Sequence, residues 1–328
     1  MMDQVATTRV ALVIPVFNDW KSVAEVLLSL DQLPSLDGIS LHVILVDDGS
    51  FQPRQFLLDP RRCLRIKHLE VLDLVCNLGH QRAIAVGLAV AARLPGIGGV
   101  LVMDGDGEDR PEDIAALLDA SARHPRHIVC ARRSKRSEPP LFRAFYLCYK
   151  LVFRILTGRQ IDFGNFCFIP ASALRTVVYS PATWNHLAAS ILRSRVPVFG
   201  VDTQRGRRFA GQSSMSFTAL MLHGMSAISV YADLVTVRIV LAMVGFAGVA
   251  VCGIIVAVAI RLFTDLAIPG WASSVIASMM AMLVESLVFA TVAALMLLNA
   301  RSAKPVTPAL DALAYLGSSE GVVTEEAR

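Results

Sequence analysis

The residues best suited to chemistry are Asp104-Gly105-Asp106-Gly107-Glu108, a run of three acids on alternate positions after a short apolar stretch. Carboxylates two residues apart on a turn can face one hard divalent cation, and such a cation neutralises a nucleotide diphosphate; magnesium or manganese suits these oxygen donors. An Asp-Gly repeat can also serve only as a turn. A helix-loop-helix calcium loop starts in the same way, but it needs glycine at Asp109 and an acid at Ala115, so it is set aside. Two further acid or amide pairs, Asn18-Asp19 and Asp47-Asp48, also follow apolar runs.

The elements that must carry these residues read as a βαβ series with a largely parallel sheet. Strands are expected at Val10 to Val16, Leu41 to Val46, Glu70 to Val75, Val100 to Met103 and His127 to Ala131, with a short one from Asp162 to Ile169. A small-residue helix follows from about Gly79 to Arg93, where Gly87 and several alanines allow close packing on the sheet. Leu141 to Thr157 reads as an amphipathic helix with basic residues on one face. Ligands of open α/β sheets gather at the carboxyl ends of the strands, where the three acidic pairs fall.

The composition divides the chain. It is 54% hydrophobic and 18% charged, with a mean hydropathy of +0.55, which excludes a disordered protein and is too apolar for an ordinary soluble domain. Between Ile239 and Ala300 the only charges are Arg261, Asp265 and Glu285. Ile239 to Ile260 is uncharged for 22 residues, enough helix to cross a bilayer core of about 30 Å. Trp271 to Ala300 gives a second span, with Arg301 and Lys304 beyond it. The positive-inside rule then places both termini in the cytoplasm. Glu285 falls mid-span, where a carboxyl needs a partner, and a packing or oligomer contact is the expected one. Phe217, Leu220, Met221, Gly224, Ile228 and Tyr231 share a helical face, as in a helix lying in the membrane interface or one packed on the soluble core. The tail after Lys304, with Pro305, Pro308 and a Gly-Ser-rich acidic end, is expected to be flexible beyond its short apolar stretch.

From Arg132 to Arg208 there are fourteen Lys or Arg against three acids, in a chain whose net charge is +4. A basic middle beside an apolar anchor points to phosphates or anionic lipid, and no nucleic-acid motif accompanies it. The six cysteines show no metal-like spacing, and no signal peptide is recognisable; both fit a reducing, cytoplasmic compartment.

Taken in order, Ile14-Pro15-Val16-Phe17-Asn18-Asp19, Val46-Asp47-Asp48-Gly49-Ser50, Asn77-Leu78-Gly79 with Ala83 and Gly87, and Asp104-Gly-Asp106 with Pro111-Glu112 form a series. Arg132, Gly164-Asn165-Phe166 and Arg205-x-x-Arg208-x-x-Gly211-x-Ser213 continue it. The series resembles the family 2 glycosyltransferases, and within them the membrane-anchored polyprenyl-phosphate glycosyltransferases typified by dolichyl-phosphate mannose synthase and the bacterial undecaprenyl-phosphate glucosyltransferases. The resemblance implies a GT-A, Rossmann-like domain over 1–211, amphipathic juxtamembrane helices over 212–237, a two-helix membrane hairpin over 238–301 and a cytoplasmic tail over 302–328. It implies inverting transfer of a sugar from a nucleotide diphosphate sugar, expected to be UDP-linked, to a polyprenyl phosphate. The expected location is the cytoplasmic membrane face, the inner membrane in a bacterium. The expected assembly is a homo-oligomer, dimer or tetramer.

Carried over by residue, the resemblance implies that Pro15, Asn18, Asp19, Asp47, Asp48 and Gly79 line the nucleotide-sugar pocket, with Arg205. Asp104 would face nucleotide and sugar, Asp106 and Glu108 would hold Mg²⁺ or Mn²⁺, and Arg208 would close over the pyrophosphate. Arg132, Arg143 and Ser213 would hold the lipid phosphate. Asn18 and Asp19 also suit helix caps. The chain departs from the family at Asn165, where many relatives have an aspartate proposed as base, at Cys167, at Glu108 and at Ser214. A phosphate acceptor is already anionic near neutral pH, so Asn165 would orient sugar or acceptor, with Asp162 the remaining candidate for proton handling. His186 is a candidate for acceptor contact or for a structural role. The rival readings are transfer to another membrane glycolipid and a catalytically silent nucleotide-sugar-binding scaffold. The QxxRW motif of processive synthases is absent.

Overall fold

The structure, a computed structural model, describes residues 8–54, 63–133, 150–209, 217–266 and 268–322. The chain divides into two units. One comprises residues 1–150, 160–230 and 305–328, and the other 151–159 and 231–304.

The first unit is built on one sheet. Its strands are β1 (Thr8–Val16), β2 (Ile39–Asp47), β3 (Ile66–Leu74), β4 (Gly99–Val102), β5 (Ile128–Arg133), β6 (Cys167–Pro170), β7 (Val198–Thr203) and β8 (Leu316–Val322), in the spatial order β7-β5-β6-β4-β1-β2-β3-β8. β1 pairs in parallel with both β2 and β4, so these strands and β3 end at the same edge. β6 and β8 run antiparallel to their neighbours. β1 is a continuous apolar run because both of its faces are covered. Val10, Leu12 and Ile14 pack with Trp20, Val23 and Leu27 of α1 (Trp20–Gln32) and with α3 (Asp113–Arg123). Ala11 and Val13 face α2 (His80–Ala91) and α5 (Ala171–Val178) on the other side.

Two residues show how closely the sheet is covered. Gly87 of α2 has no space for a side chain, since a Cβ there would overlap Val13 Cγ1 and lie 2.9 Å from Val46 Cγ2. Pro15 is tolerated in a central strand because of register. The Val13 carbonyl accepts from Met103 N–H on the β4 side, and Pro15, two residues on, faces the same side beyond the last paired residue of β4. Its missing N–H leaves no ladder bond unmade.

The elements differ from the sequence expectations in three places. The strand expected from Asp162 is only Cys167–Pro170, because residues 162–166 form the loop that presents Asn165. As far as Val322, the last described residue, the tail is ordered rather than flexible: α10 (Pro308–Asp311) is followed by β8, which pairs with the free side of β3. The helix at 217–229, α7 (Phe217–Ser229), buries Gly224 and Ala227 and exposes Met221, Leu222 and Met225. One face is thus packed, as the core-packed reading expected, and the other is exposed and apolar.

The short helix α6 (Leu187–Arg193) begins at His186, whose Nδ1 accepts from Ala189 N–H at 3.4 Å. The imidazole is 5% exposed and packs on His223 of α7, with ring centroids 4.6 Å apart. Burial, with the neighbouring rings of His223 and His80, pushes the His186 pKa down to about 3. His186 is a cap and a packing residue.

In the second unit, α8 (Ala232–Phe263) and α9 (Trp271–Ser302) are antiparallel helices of 32 residues each. Each carries an 18-residue apolar window, only 6% buried, and each is long and apolar enough to cross a bilayer. A soluble core helix would be covered instead. Ala250 and Ala257 are buried against α9, while Glu285 is exposed on the outer surface of the hairpin. Residues 150–157 form helix α4, and the part within this unit packs Phe153 edge-on against Tyr231, at 6.0 Å. Arg238 donates to the Ile155 carbonyl at 2.6 Å.

Gly87→Val drives two methyl groups into Val13 and Val46 and is expected to destabilise the protein by about 3 kcal/mol, read as a lowered unfolding midpoint. Below pH 6.5 an unfolded His186 binds a proton that the folded one refuses until about pH 3, so stability falls as the pH falls across that window. This residue contributes a slope of about 1.4 kcal/mol per pH unit. His186→Asn, which preserves a capping side chain, is expected to flatten the acid limb of the stability profile by that amount in unfolding curves taken between pH 7 and pH 5.

Candidate active site

The exits of β1 and β2 are tied together. Asn18 adopts a left-handed backbone, φ 55°, and its Oδ1 accepts from Phe51 N–H at 3.0 Å and Gln52 N–H at 3.2 Å. Its own N–H donates to Ser50 Oγ at 2.9 Å. Asn18 therefore shapes the rim through the β2 exit loop, and only its amide NH₂ faces outward from those bonds. Asp19 precedes α1 but makes no side-chain cap bond, so its carboxylate is not spent on the helix. Asp47 accepts from Ser50 N–H at 2.9 Å and pairs with Arg54, which also bridges to Asp73.

Asp48, 3% exposed, is a clamp on the turn before α2: its two oxygens accept from Leu78 N–H at 2.7 Å and Gly79 N–H at 2.9 Å. Asn77 Nδ2 donates to the Asp48 carbonyl at 2.9 Å. Burial raises the Asp48 pKa, and the two backbone bonds only partly oppose it. This explains the paired motifs, since Asp48 and Asn77-Leu78-Gly79 form one hydrogen-bonded unit.

The exit of β4 is the acidic loop. Asp104 N–H donates to buried Asp109 at 3.0 Å, and Glu108 N–H donates to Asp106 Oδ1 at 2.9 Å, which fixes the turn. The other Asp106 oxygen meets Arg208 at 3.0 Å, and Arg205 grips Glu108 through two bonds of 2.6 and 3.1 Å. The segment carrying these arginines is laid on the loop by backbone bonds, Gly206 N–H to the Glu108 carbonyl at 2.8 Å and Phe209 N–H to the Asp106 carbonyl at 3.1 Å. Only glycine fits at 107, because a Cβ there would overlap the Phe209 ring. Burial raises the Asp106 pKa, Asp104 and Glu108 add to it, and Arg208 opposes.

Among the described residues no three His, Cys, Asp or Glu gather into a metal cage. A divalent ion carried by a diphosphate needs fewer, one or two carboxylates with phosphate oxygens completing the shell. Asp106 and Glu108, two hard carboxylates joined by one turn, fit that kind of ion and not a self-contained site.

Two residues that sequence reasoning passed over join this edge to the Asn165 loop. His80 Nε2 lies 3.2 Å from Asp104 Oδ1 and 3.1 Å from Asn165 Nδ2. Burial alone would lower the His80 pKa, but Asp104, Asp109 and Asp48 outweigh it and raise it. Gln81 Nε2 donates to Asn165 Oδ1 at 3.1 Å, and Leu187 N–H donates to Gln81 Oε1 at 2.8 Å. The available signal was position: His80 and Gln81 directly follow Gly79 of the expected motif, at the first turn of α2.

Of the residues expected to hold the acceptor, Arg132 on β5 is half-exposed and pairs with Asp162 at 3.3 Å. Asp162 is thus engaged as a counter-ion. Arg143 and Ser213 lie outside the described residues.

A model of glycosyl transferase family 2 matches residues 11–179, just over half of the chain. The protein named uncharacterized glycosyltransferase YkcC of Bacillus subtilis is 22% identical over 282 residues, 81% of each chain. The undecaprenyl-phosphate 4-deoxy-4-formamido-L-arabinose transferase of Salmonella paratyphi B is 24% identical over 228 residues, 67% of each chain. Among solved structures, glucosyl-3-phosphoglycerate synthase from Mycobacterium tuberculosis superposes with a TM-score of 0.50 at 11% identity, over 72% of this chain and 84% of that one. The fold is that of GT-A neighbours, and the matched residues span every acidic strand exit described above. The chain belongs to glycosyl transferase family 2.

Proposed function

We propose that the protein is an inverting glycosyltransferase that moves a sugar from a nucleotide diphosphate sugar, UDP-linked, to a polyprenyl phosphate at the cytoplasmic membrane face. The observation that carries this reading is the acidic loop at the β4 exit, faced by Arg205 and Arg208, on a family 2 fold. Arg205 and Arg208 suit the oxygens of a diphosphate, and Asp106 and Glu108 suit a divalent ion carried with it. The M. tuberculosis neighbour was solved with Mn²⁺ and UDP-glucose, and the Salmonella relative is named for an undecaprenyl-phosphate acceptor; both support donor and acceptor classes here.

The membrane reading also rests on connectivity. The strands before α8 and β8 after α9 belong to one sheet, so both flanks of the hairpin lie on one side of any bilayer. The two helices therefore cross together, and the chain returns to the compartment of its sheet. We assign residues 1–211 to the catalytic domain, 212–237 to juxtamembrane helices and 238–301 to the hairpin. The tail from 302 supplies β8 to the catalytic sheet. Glu285, exposed on the hairpin, suits an oligomer contact within the membrane.

In the reaction, a phosphate oxygen of the acceptor forms a bond to the anomeric carbon as the bond to the nucleotide diphosphate breaks, so the configuration inverts. Asp104 orients the sugar, and Arg208, with Arg205, takes the charge that develops on the departing diphosphate. A divalent ion at Asp106 and Glu108 supplies further neutralisation of that charge when bound. Pro15, Asn18, Asp19, Asp47, Asp48 and Gly79 form the nucleotide rim, directly or through the turns they fix. Arg132, with Arg143 and Ser213, holds the lipid phosphate. Asn165 cannot accept a proton, and a phosphate monoester with a second pKa near 6 needs no base to be nucleophilic. The chemical work is alignment and charge neutralisation.

The purified protein, given undecaprenyl phosphate, MgCl₂ or MnCl₂ and a panel of labelled nucleotide sugars, is expected to form a lipid-linked sugar. Asp106→Asn and chelation by EDTA are each expected to lower the rate by about 100-fold or more. Product only with a preformed glycolipid would favour the alternative acceptor. Binding of nucleotide sugar without product from any acceptor would favour a scaffold and overturn the proposal.

A further inference from the structure

One nitrogen atom at the site has two neighbours that make opposite demands on it. The orientation of Gln81 is fixed, because Leu187 N–H can only donate and so must meet the Gln81 oxygen, 2.8 Å away. The Gln81 NH₂ then donates to Asn165 Oδ1, and this turns the Asn165 NH₂ toward His80 Nε2 at 3.1 Å. That bond requires a lone pair on Nε2. Asp104 Oδ1, 3.2 Å from the same atom, requires a proton there. A single imidazole nitrogen satisfies one of them at a time.

We propose that His80 is a positioning residue that exchanges hydrogen-bond partners between Asp104 and Asn165, so that Asn165 is held in its working orientation only once the sugar donor has engaged Asp104. The inference rests on the reading of Asp104 as the donor-facing carboxylate. Without donor, the carboxylates around the ring favour the Nε2–H form, which bonds Asp104 and sets two donors, Nε2–H and the Asn165 NH₂, against each other. A sugar hydroxyl that bonds Asp104 takes over that acceptor. The ring proton then resides on Nδ1, reached through solvent at a side chain 44% exposed, and Nε2 accepts from Asn165. The consequence is order: the amide on the acceptor side is fixed after the donor binds, which discourages futile encounters between an empty site and acceptor.

This mechanism separates side chains that resemble each other. Glutamine at 80 carries an N–H for Asp104 and a carbonyl for Asn165 at once, whereas phenylalanine fills the space and serves neither. His80→Phe is expected to lower kcat about 100-fold with the donor KM changed by less than about threefold, and His80→Gln to recover to within about tenfold of the natural protein. In a double variant, Asn165→Ala is expected to add little to the loss from His80→Phe, since the two act as one link. A space-filling role would rank Phe at or above Gln, and that ranking would overturn the proposal.

A second measurement does not depend on transfer. In protein labelled with ¹⁵N-histidine, with the resonance assigned by its loss in His80→Phe, His80 is expected to pass from the Nε2–H to the Nδ1–H tautomer on addition of UDP-glucose, or the nucleotide sugar active in transfer, with MgCl₂. Binding without a change of tautomer, or no binding of any nucleotide sugar, sinks the link. A tautomer change in a protein that transfers to no acceptor sustains the link while removing the proposed acceptor.

Discussion

The structure depends on the compensation of negative charge at one edge of a sheet. Asp47, Asp48, Asp104, Asp106, Glu108 and Asp109 all lie at the exits of β2 and β4, and several are buried. Burying a carboxylate is unfavourable unless it is bonded or paired, and here each carboxylate has a different compensator. Asp48 has backbone N–H groups, Asp47 has Arg54, Asp109 has the Asp104 N–H, Asp106 and Glu108 have arginines from the segment after β7, and Asp104 has His80. The raised pKa values of Asp48 and Asp106 show that the compensation is incomplete. Carboxylates so arranged are satisfied further by a cation or by a hydrogen-bond donor.

The same compensation joins distant parts of the chain. Arg205 and Arg208 follow the last parallel strand, His80 opens α2, and Asn165 leaves the loop before β6, yet all meet carboxylates or each other through bonds of 2.6 to 3.2 Å. Gln81 extends the connection to the start of α6, whose cap His186 is held neutral by burial. The start of α6 is therefore linked to Asn165 through the Leu187 backbone N–H and the Gln81 side chain.

The C-terminal strand gives the second constraint. Because β8 adds to the sheet on β3, the hairpin is an excursion out of a domain that closes again after it. Among the described residues, the apolar surfaces of α8 and α9 are left largely exposed, and each helix is long and apolar enough to cross a bilayer.

Local sequence determined the parallel core strands, the small-residue helix packed on them, the two long apolar helices and the acidic strand exits. These follow from runs of β-branched residues, the spacing of small residues and Asp-Gly turns, all of which act over a few neighbours. The acidic loop of Asp104, Asp106 and Glu108 was legible for that reason. Tertiary structure alone decided which carboxylates are clamps and which are open to a ligand. Asp47, Asp48 and Asn18 look alike as polar residues after a strand, and only partners 29 to 34 positions away show that Asp48 and Asn18 hold turns. It also decided the place of the tail, whose Gly-Ser-rich composition resembles a linker until a strand edge offers it partners, and the contact of His80 with both Asp104 and Asn165. Hydrogen bonds across such separations depend on where the chain brings its strand exits together, and no periodicity or composition within a local window records that.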